Sequence, residues 1–203
     1  MTLAREMALE SEYVMGTFAR KPVEFVEGHG MTLIDDAGNE YLDFLSGIGV
    51  CSLGHCHPSI VQAVSDQAAK LIHVSNYYYI EHRGEVAQLL SNMLNAYVDE
   101  PSPETWKTFF ANSGAEANEC AIKLARLYAR RRTEAAGKDA ELAPRLIVTL
   151  AKSFHGRTLA TLAATAQPAK QEAFQPGSRP RPSTTWKLWS VCSRLRATAS
   201  APS

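Results

Sequence analysis

The chain has 203 residues, 45% of them hydrophobic and 21% charged, with 21 basic and 21 acidic side chains. That composition belongs to an ordinary folded protein with room for a large core, and with zero net charge nothing in the total favours a nucleic-acid or anionic-membrane partner. The four cysteines (51, 56, 120 and 192) are scattered, with no CxxC pair, which argues for reduced thiols and a cytoplasmic location, not for a disulfide framework.

Residues 1–20 form a helical or irregular lead-in without a signal segment, and no apolar run reaches membrane-spanning length. Residues 23–26, 31–34 and 41–44 predict short strands separated by turn-forming residues, hence a hairpin or meander. A loop rich in glycine and small residues follows at 46–58, where backbone can approach closely. It contains His55, Cys56 and His57, but adjacent ligands rarely converge on one ion, so no metal site is expected. Pro58 suits the first turn of a helix with Ile60, Val61, Val64, Ala68 and Leu71 on one face. A second helix is expected at 81–95, with Val86, Leu89, Leu90, Met93 and Leu94 as its apolar stripe.

From Trp106 the pattern alternates. Residues 106–111 predict a strand, 114–132 a long helix, 146–150 a strand buried on both faces, and 158–166 another helix. That order argues for an α/β fold with a parallel sheet and crossover helices. On the long helix, Ala117, Cys120, Ala121, Leu124, Ala125 and Tyr128 share one face, with Glu119 and Lys123 forming an i,i+4 pair on another.

The last segment departs from this grammar. Residues 177–203 hold six serines, three prolines, five basic residues and no acid, so the rest of the chain carries a net −5. Either it is a flexible basic tail or it is foreign to the fold, through a shifted frame or a truncated gene. Trp186 and Trp189 lack any patterned context, which favours the second reading. The expected organisation is therefore 1–75 as an N-terminal segment of short antiparallel strands, 76–176 as a partial α/β domain, and 177–203 as a non-native or disordered tail.

The start of the long helix carries the chemistry. Ser113 and Glu116 have capping-box spacing, which accounts for a hydroxyl and an acid. Gly114 and Ala115 leave the tip without bulk, which suits a phosphate resting on unpaired amides. The pattern alone leaves both readings open. Beyond the strand at 146–150 stand Phe154, His155, Gly156 and Arg157, on the sheet edge where ligands of open α/β folds gather. An aromatic face and a bidentate guanidinium near a phosphate cradle point to a flat anionic cofactor and a carboxylate substrate.

These residues carry a resemblance. NSGAEANECAIKLAR, then SFHGRT, with a GxGxxxxDxxGxxYxDFxxGI pattern over 28–48, LGHCHP from Leu53 and HVSN from His73, resemble the class III aminotransferases. The likeness covers residues 13–176 and is greatest to the acetylornithine branch. It implies a fold-type I α/β scaffold, here incomplete, and pyridoxal 5′-phosphate as cofactor. It also implies backbone amides of Gly114 and Ala115 on the phosphate, Phe154 stacked on the ring, and Arg157 on the substrate carboxylate. His155 would be structural, and Ser75, Asn76 and Tyr77 weaker candidates for the pocket wall.

The implied reaction is ping-pong transfer of a terminal amino group to 2-oxoglutarate in arginine biosynthesis, by a homodimer acting on small amino and 2-oxo acids. The family's Schiff-base lysine and the aspartate facing the pyridine nitrogen lie downstream of these motifs. None of the eight lysines (21, 70, 107, 123, 138, 152, 170 and 187) has the matching context. The resemblance thus predicts no catalytic residue within the 203 and an inactive fragment. Ornithine, succinylornithine or other ω-amino substrates, and a non-catalytic cofactor-binding remnant, are the alternatives. A Rossmann-type nucleotide site would need GxGxxG between strand and helix, but Gly28-His29-Gly30 leads into another strand segment.

Overall fold

The computed structural model describes residues 2–97, 106–171 and 174. The chain divides into two compact units at the Ile80–Glu81 boundary, and the segment 177–203 lies outside the described residues.

In the first unit, helix α1 (Leu3–Tyr13) precedes strands β1 (Phe25–His29), β2 (Thr32–Asp35) and β3 (Glu40–Leu42). The strands form an antiparallel meander in the order β1-β2-β3, as their spacing predicts. The two residues joining β1 to β2 begin with Gly30 at φ 53°, a left-handed conformation that glycine adopts freely. Asp35 organises the next turn. Its carboxylate accepts from the Ala37 and Asn39 amides at 3.0 and 2.8 Å, and from Asn39 Nδ2 and Tyr41 Oη, each at 2.9 Å. Those hydrogen bonds, the Asn39 side chain first, hold its pKa below the usual carboxylate value. Phe25 packs edge-on against Tyr41 with ring centroids 5.3 Å apart.

The glycine-rich loop is then folded back onto the meander. A one-turn helix, α2 (Ser46–Gly49), carries left-handed backbone at Gly47 and Ile48. Asp43 accepts from the Leu45 and Ser46 amides at 2.8 and 2.9 Å and pairs with His55 Nε2 at 2.7 Å. His55 and these amides lower the Asp43 pKa. The His55 backbone exchanges two hydrogen bonds with Gly30, at 2.7 and 2.9 Å. Gly28 lies directly beneath the imidazole: a Cβ there would sit 3.0 Å from His55 Cγ. The motif over 28–48 thus locks onto the LGHCHP segment through Gly28, Gly30 and Asp43 around His55. Helix α3 (Pro58–Lys70) follows with Pro58 in its first turn.

In the second unit, α4 (Arg83–Ala96) and α5 (Gly114–Ala135) form where their periodicity predicts. A 3₁₀ turn (Ala140–Leu142), α6 (Leu159–Ala164) and a short α7 (Pro168–Gln171) follow. Two expectations fail here. Residues 106–111 and 146–150 run without a strand ladder, and among the described residues only β1–β3 pair in a sheet. A doubly buried parallel strand needs hydrogen-bonding neighbours on its edges and apolar cover on its faces. Phe109, Phe110, Leu146, Val148 and Leu150 are instead exposed. Propensity marked these segments, but pairing could not be read from them.

The buried side of α5 differs from the face shared by Ala117, Cys120, Ala121, Leu124, Ala125 and Tyr128. Ile122 is its buried residue, with Ala115, Asn118, Arg126 and Ala129 on the same side, where α5 packs on α6 and the 3₁₀ turn. Leu124 and Tyr128, on that shared face, are 57% and 65% exposed. Glu119 turns to Thr158 Oγ1, at 2.5 Å, instead of along the helix toward Lys123.

Candidate functional site

The site is built on the first turn of α5. Ser113 has extended backbone, and its Oγ accepts from the Glu116 amide at 3.2 Å. The Glu116 carboxylate reaches back and accepts from the Asn112 amide at 2.7 Å. The capping box is therefore formed with its acid reaching one residue past the N-cap amide, and it consumes the amides of 112 and 116. The amides of Gly114 and Ala115 have no acceptor among the described residues. A Cβ on Gly114 would meet nothing within 4 Å. Capping and an open tip coexist because they use different donors.

A second element closes on this tip. Gly156 is buried at φ 137°, and a Cβ there would lie 2.5 Å from Thr161 Oγ1 and 2.7 Å from Ala115 Cβ. Only glycine fits, and its neighbour must be small. Ala115 therefore has a packing reason for its size that its sequence context did not reveal. The loop is held by hydrogen bonds on both sides of Gly156. Asn118 Nδ2 donates to the His155 carbonyl at 2.8 Å, and the His155 amide donates to Thr165 Oγ1 at 2.9 Å. Thr165 Oγ1 donates in turn to the Thr161 carbonyl at 2.9 Å, and both threonines are 0% exposed. Gln167 Nε2 donates to the Ser153 carbonyl at 3.2 Å.

This anchoring brings all four predicted residues into one neighbourhood. Gly114 and Ala115 present the amides, Gly156 rests on Ala115, and Phe154 and Arg157 flank Gly156. The Phe154 ring is 55% exposed, and the Arg157 guanidinium stands 5.7 Å from its centroid. His155 contributes its backbone to the docking, while its Nε2 is buried without a hydrogen-bond partner. Ser75, Asn76 and Tyr77 lie in the first unit, where the Tyr77 amide donates to Ser75 Oγ at 3.2 Å.

Sequence reasoning missed Asn118, Thr161, Thr165 and Gln167, whose contacts span up to 37 positions along the chain. Only Thr161 and Thr165, one helical turn apart, left a local signal. Among the described residues no group of three or more His, Cys, Asp or Glu is arranged to hold a metal, and no helix is long and apolar enough to cross a membrane.

The arrangement suits a ligand with a phosphate at one end, a flat ring in the middle and a carboxylate beyond it. A family model described as "Aminotransferase class-III" matches residues 17–188. The chain belongs to the class III aminotransferases. The match runs past residue 177, into the segment whose composition looks foreign. Among curated relatives, the acetylornithine aminotransferase of Nitrosomonas europaea is 48% identical over 164 residues, which are 81% of this chain and 37% of that one. The chain thus spans just over a third of the length of the curated relatives it matches.

Among solved structures, the ornithine aminotransferase of Toxoplasma gondii superposes with a TM-score of 0.74 at 26% identity, over 94% of this chain and 41% of that one. A taurine:2-oxoglutarate aminotransferase from Bifidobacterium kashiwanohense, solved with pyridoxal phosphate and glutamate, gives 0.67 at 27% identity, over 89% of this chain and 37% of that one. The fold is accordingly an incomplete α/β, fold-type I aminotransferase scaffold.

Proposed function

We propose that this aminotransferase segment binds pyridoxal 5′-phosphate and belongs to an enzyme that moves the terminal amino group of N-acetylornithine to 2-oxoglutarate. The observation that carries the cofactor reading is the open pair of amides at Gly114 and Ala115, with the Phe154–Arg157 loop docked against them through Gly156. The residues fit the group: there is room over Gly114, an exposed ring face at Phe154, and no acid paired with Arg157 among the described residues. The amides of 114 and 115 would hold the phosphate, Phe154 would support the ring, and Arg157 would take the amino acid's carboxylate in a bidentate grip. When bound, the cofactor supplies a reactive aldehyde and an electron-accepting ring for amino-group transfer.

The substrate reading is supported by curated relatives at 43–48% identity that bear the name acetylornithine aminotransferase. Ornithine is the second reading, favoured by the Toxoplasma structure. Comparing kcat/KM for the two amines in the enzyme that carries this segment separates them. A homodimer, which the resemblance implies, and a cytoplasmic location, which free thiols at Cys51, Cys56 and Cys120 favour, belong to the same proposal.

The 203 residues alone are expected to bind without turning over, because they contain no lysine in the family's catalytic context. Amide shift mapping with pyridoxine 5′-phosphate, which lacks the reactive aldehyde, tests the binding. The amides of Gly114 and Ala115 should move most, with inorganic phosphate competing. Unmoved amides at both positions would overturn the cofactor reading, and measured transamination by this polypeptide alone would overturn the expected inactivity.

A further inference from the structure

A cavity of about 190 Å³ lies between α1 and residues 20–24, wholly within the first unit. Leu3, Glu6, Met7 and Glu10 line it from the helix. That i, i+3, i+4, i+7 stripe is the one through which an amphipathic helix ordinarily buries apolar side chains. Here two of the four are carboxylates, and they are the better covered. Glu6 and Glu10 are half-buried, whereas Met7 is 51% exposed. A stripe that covers its acids and exposes its methionine breaks the rule for packing, and such breaks gather at functional sites.

The walls of the cavity are held in place. Asp36 ties both of them: its carboxylate accepts from the Leu3 amide at 2.9 Å, and its own amide donates to the Glu24 carbonyl at 3.0 Å. Arg20 Nε donates to Glu10 Oε2 at 2.7 Å, joining the helix to the facing segment. That ion pair answers one acid only. Glu24 Oε2 is buried without a hydrogen-bond partner, and neither Glu6 nor Lys21 has an ionic partner among the described residues. A buried carboxylate oxygen without a donor has lost its hydration uncompensated, and a ligand donor would restore it.

We propose that this cavity is a binding site for a basic α-amino acid, separate from the aminotransferase machinery. The ligand's two cationic groups answer Glu6 and Glu24, its carboxylate answers Lys21, and its methylenes lie along Leu3 and Val23. Two unanswered acids against one unanswered ammonium leave a surplus negative charge. A basic amino acid, with one surplus positive charge, completes that set, and a neutral amino acid does not. The volume agrees, since pockets for drug-sized ligands run to roughly 300–1,000 Å³ and this one is smaller.

The test is amide shift mapping of the 203-residue chain with L-lysine at about 0.15 M salt, where loosely held surface charge is screened. The amides of Leu3, Met7, Lys21 and Glu24 should move saturably. L-Norleucine, which lacks the side-chain ammonium, and 1,5-diaminopentane, which lacks the carboxylate, should each bind at least about tenfold more weakly. Glu24→Gln should lower L-lysine affinity about tenfold, and Lys21→Gln should lower it similarly while leaving the diamine unchanged. Circular dichroism checks that each variant is folded, and Lys21→Gln decides alone if Glu24→Gln is not. Unmoved amides over 3–24, norleucine binding equal to that of L-lysine, or unaltered L-lysine affinity in both variants overturns the site. Shifts confined to Gly114 and Ala115 also overturn it, because they assign the amino acid to the cofactor end of the second unit.

Discussion

The interlocked motif of the first unit and the helix tip of the second are both glycine-rich, both polar, and end differently. Around Gly28, Gly30, Asp35, Asp43 and His55, donors and acceptors find one another inside the motif. At the α5 tip the capping box satisfies some donors, and the amides of 114 and 115, Arg157 and Lys170 are left facing outward. The contrast teaches how to separate structural from binding motifs when the letters look alike. A motif that consumes its own hydrogen-bonding capacity holds a fold together, and one that leaves charge of a single sign unspent is shaped for a ligand.

Substitutions sharpen this contrast. The largest effect is expected at Gly156. Gly156→Ala meets both a disfavoured φ and contacts at 2.5 and 2.7 Å, so it should destabilise the second unit by about 3 kcal/mol, measured by urea unfolding. Near-wild-type stability would mean that the loop docks less tightly than the geometry requires. Next, Arg157→Gln should weaken 2-oxo acid binding at least about tenfold while leaving pyridoxine 5′-phosphate affinity intact, read by calorimetry. A joint loss of both would show that the two subsites are not independent.

In the first unit, Gly28→Ala places a methyl 3.0 Å from the His55 ring, which can shift, so a smaller loss of about 1.5 kcal/mol is expected by the same unfolding measurement. A milder effect should appear in acid. The folded pKa values of Asp35 and Asp43 are depressed, so their contribution is fully present above the unfolded carboxylate value of about 3.9 and is lost as pH falls through the folded values below it. Asp43→Asn should therefore flatten the acid unfolding profile followed by circular dichroism, and an unchanged profile would discount the His55 pairing.

The smallest stability change is expected for Gly114→Ala, where the methyl enters open space and helix propensity improves. Unfolding should move by no more than about 1 kcal/mol, toward stability. Any loss of phosphate affinity in that variant reports on crowding of the tip alone.

Much of the architecture was legible. The meander, the helices at α3, α4 and α5 and the cap at Ser113 announce themselves through local pattern, and the candidate site residues Gly114, Ala115, Phe154 and Arg157 were singled out by motif. The strands expected at 106–111 and 146–150 did not form ladders among the described residues, and the apolar stripe of α5 over 117–128 does not mark its buried side. These misses share a cause. A hydrophobic run states that it wants cover and cannot name the segment that supplies it.

The amino-acid order by itself determined what is decided within a turn or two of backbone: where helices start, which turns need glycine, and which helix tip lacks bulk. It also carried enough motif to place the chain in its family. Only the tertiary structure decided that Gly156 rests on Ala115, that Asn118 holds the loop from 37 positions away, and that Lys170 shares the Phe154 ring with Arg157. Local preference is a property of neighbouring residues and survives in the sequence. Contact between distant residues is a property of the folded path, and it exists only once that path has been taken.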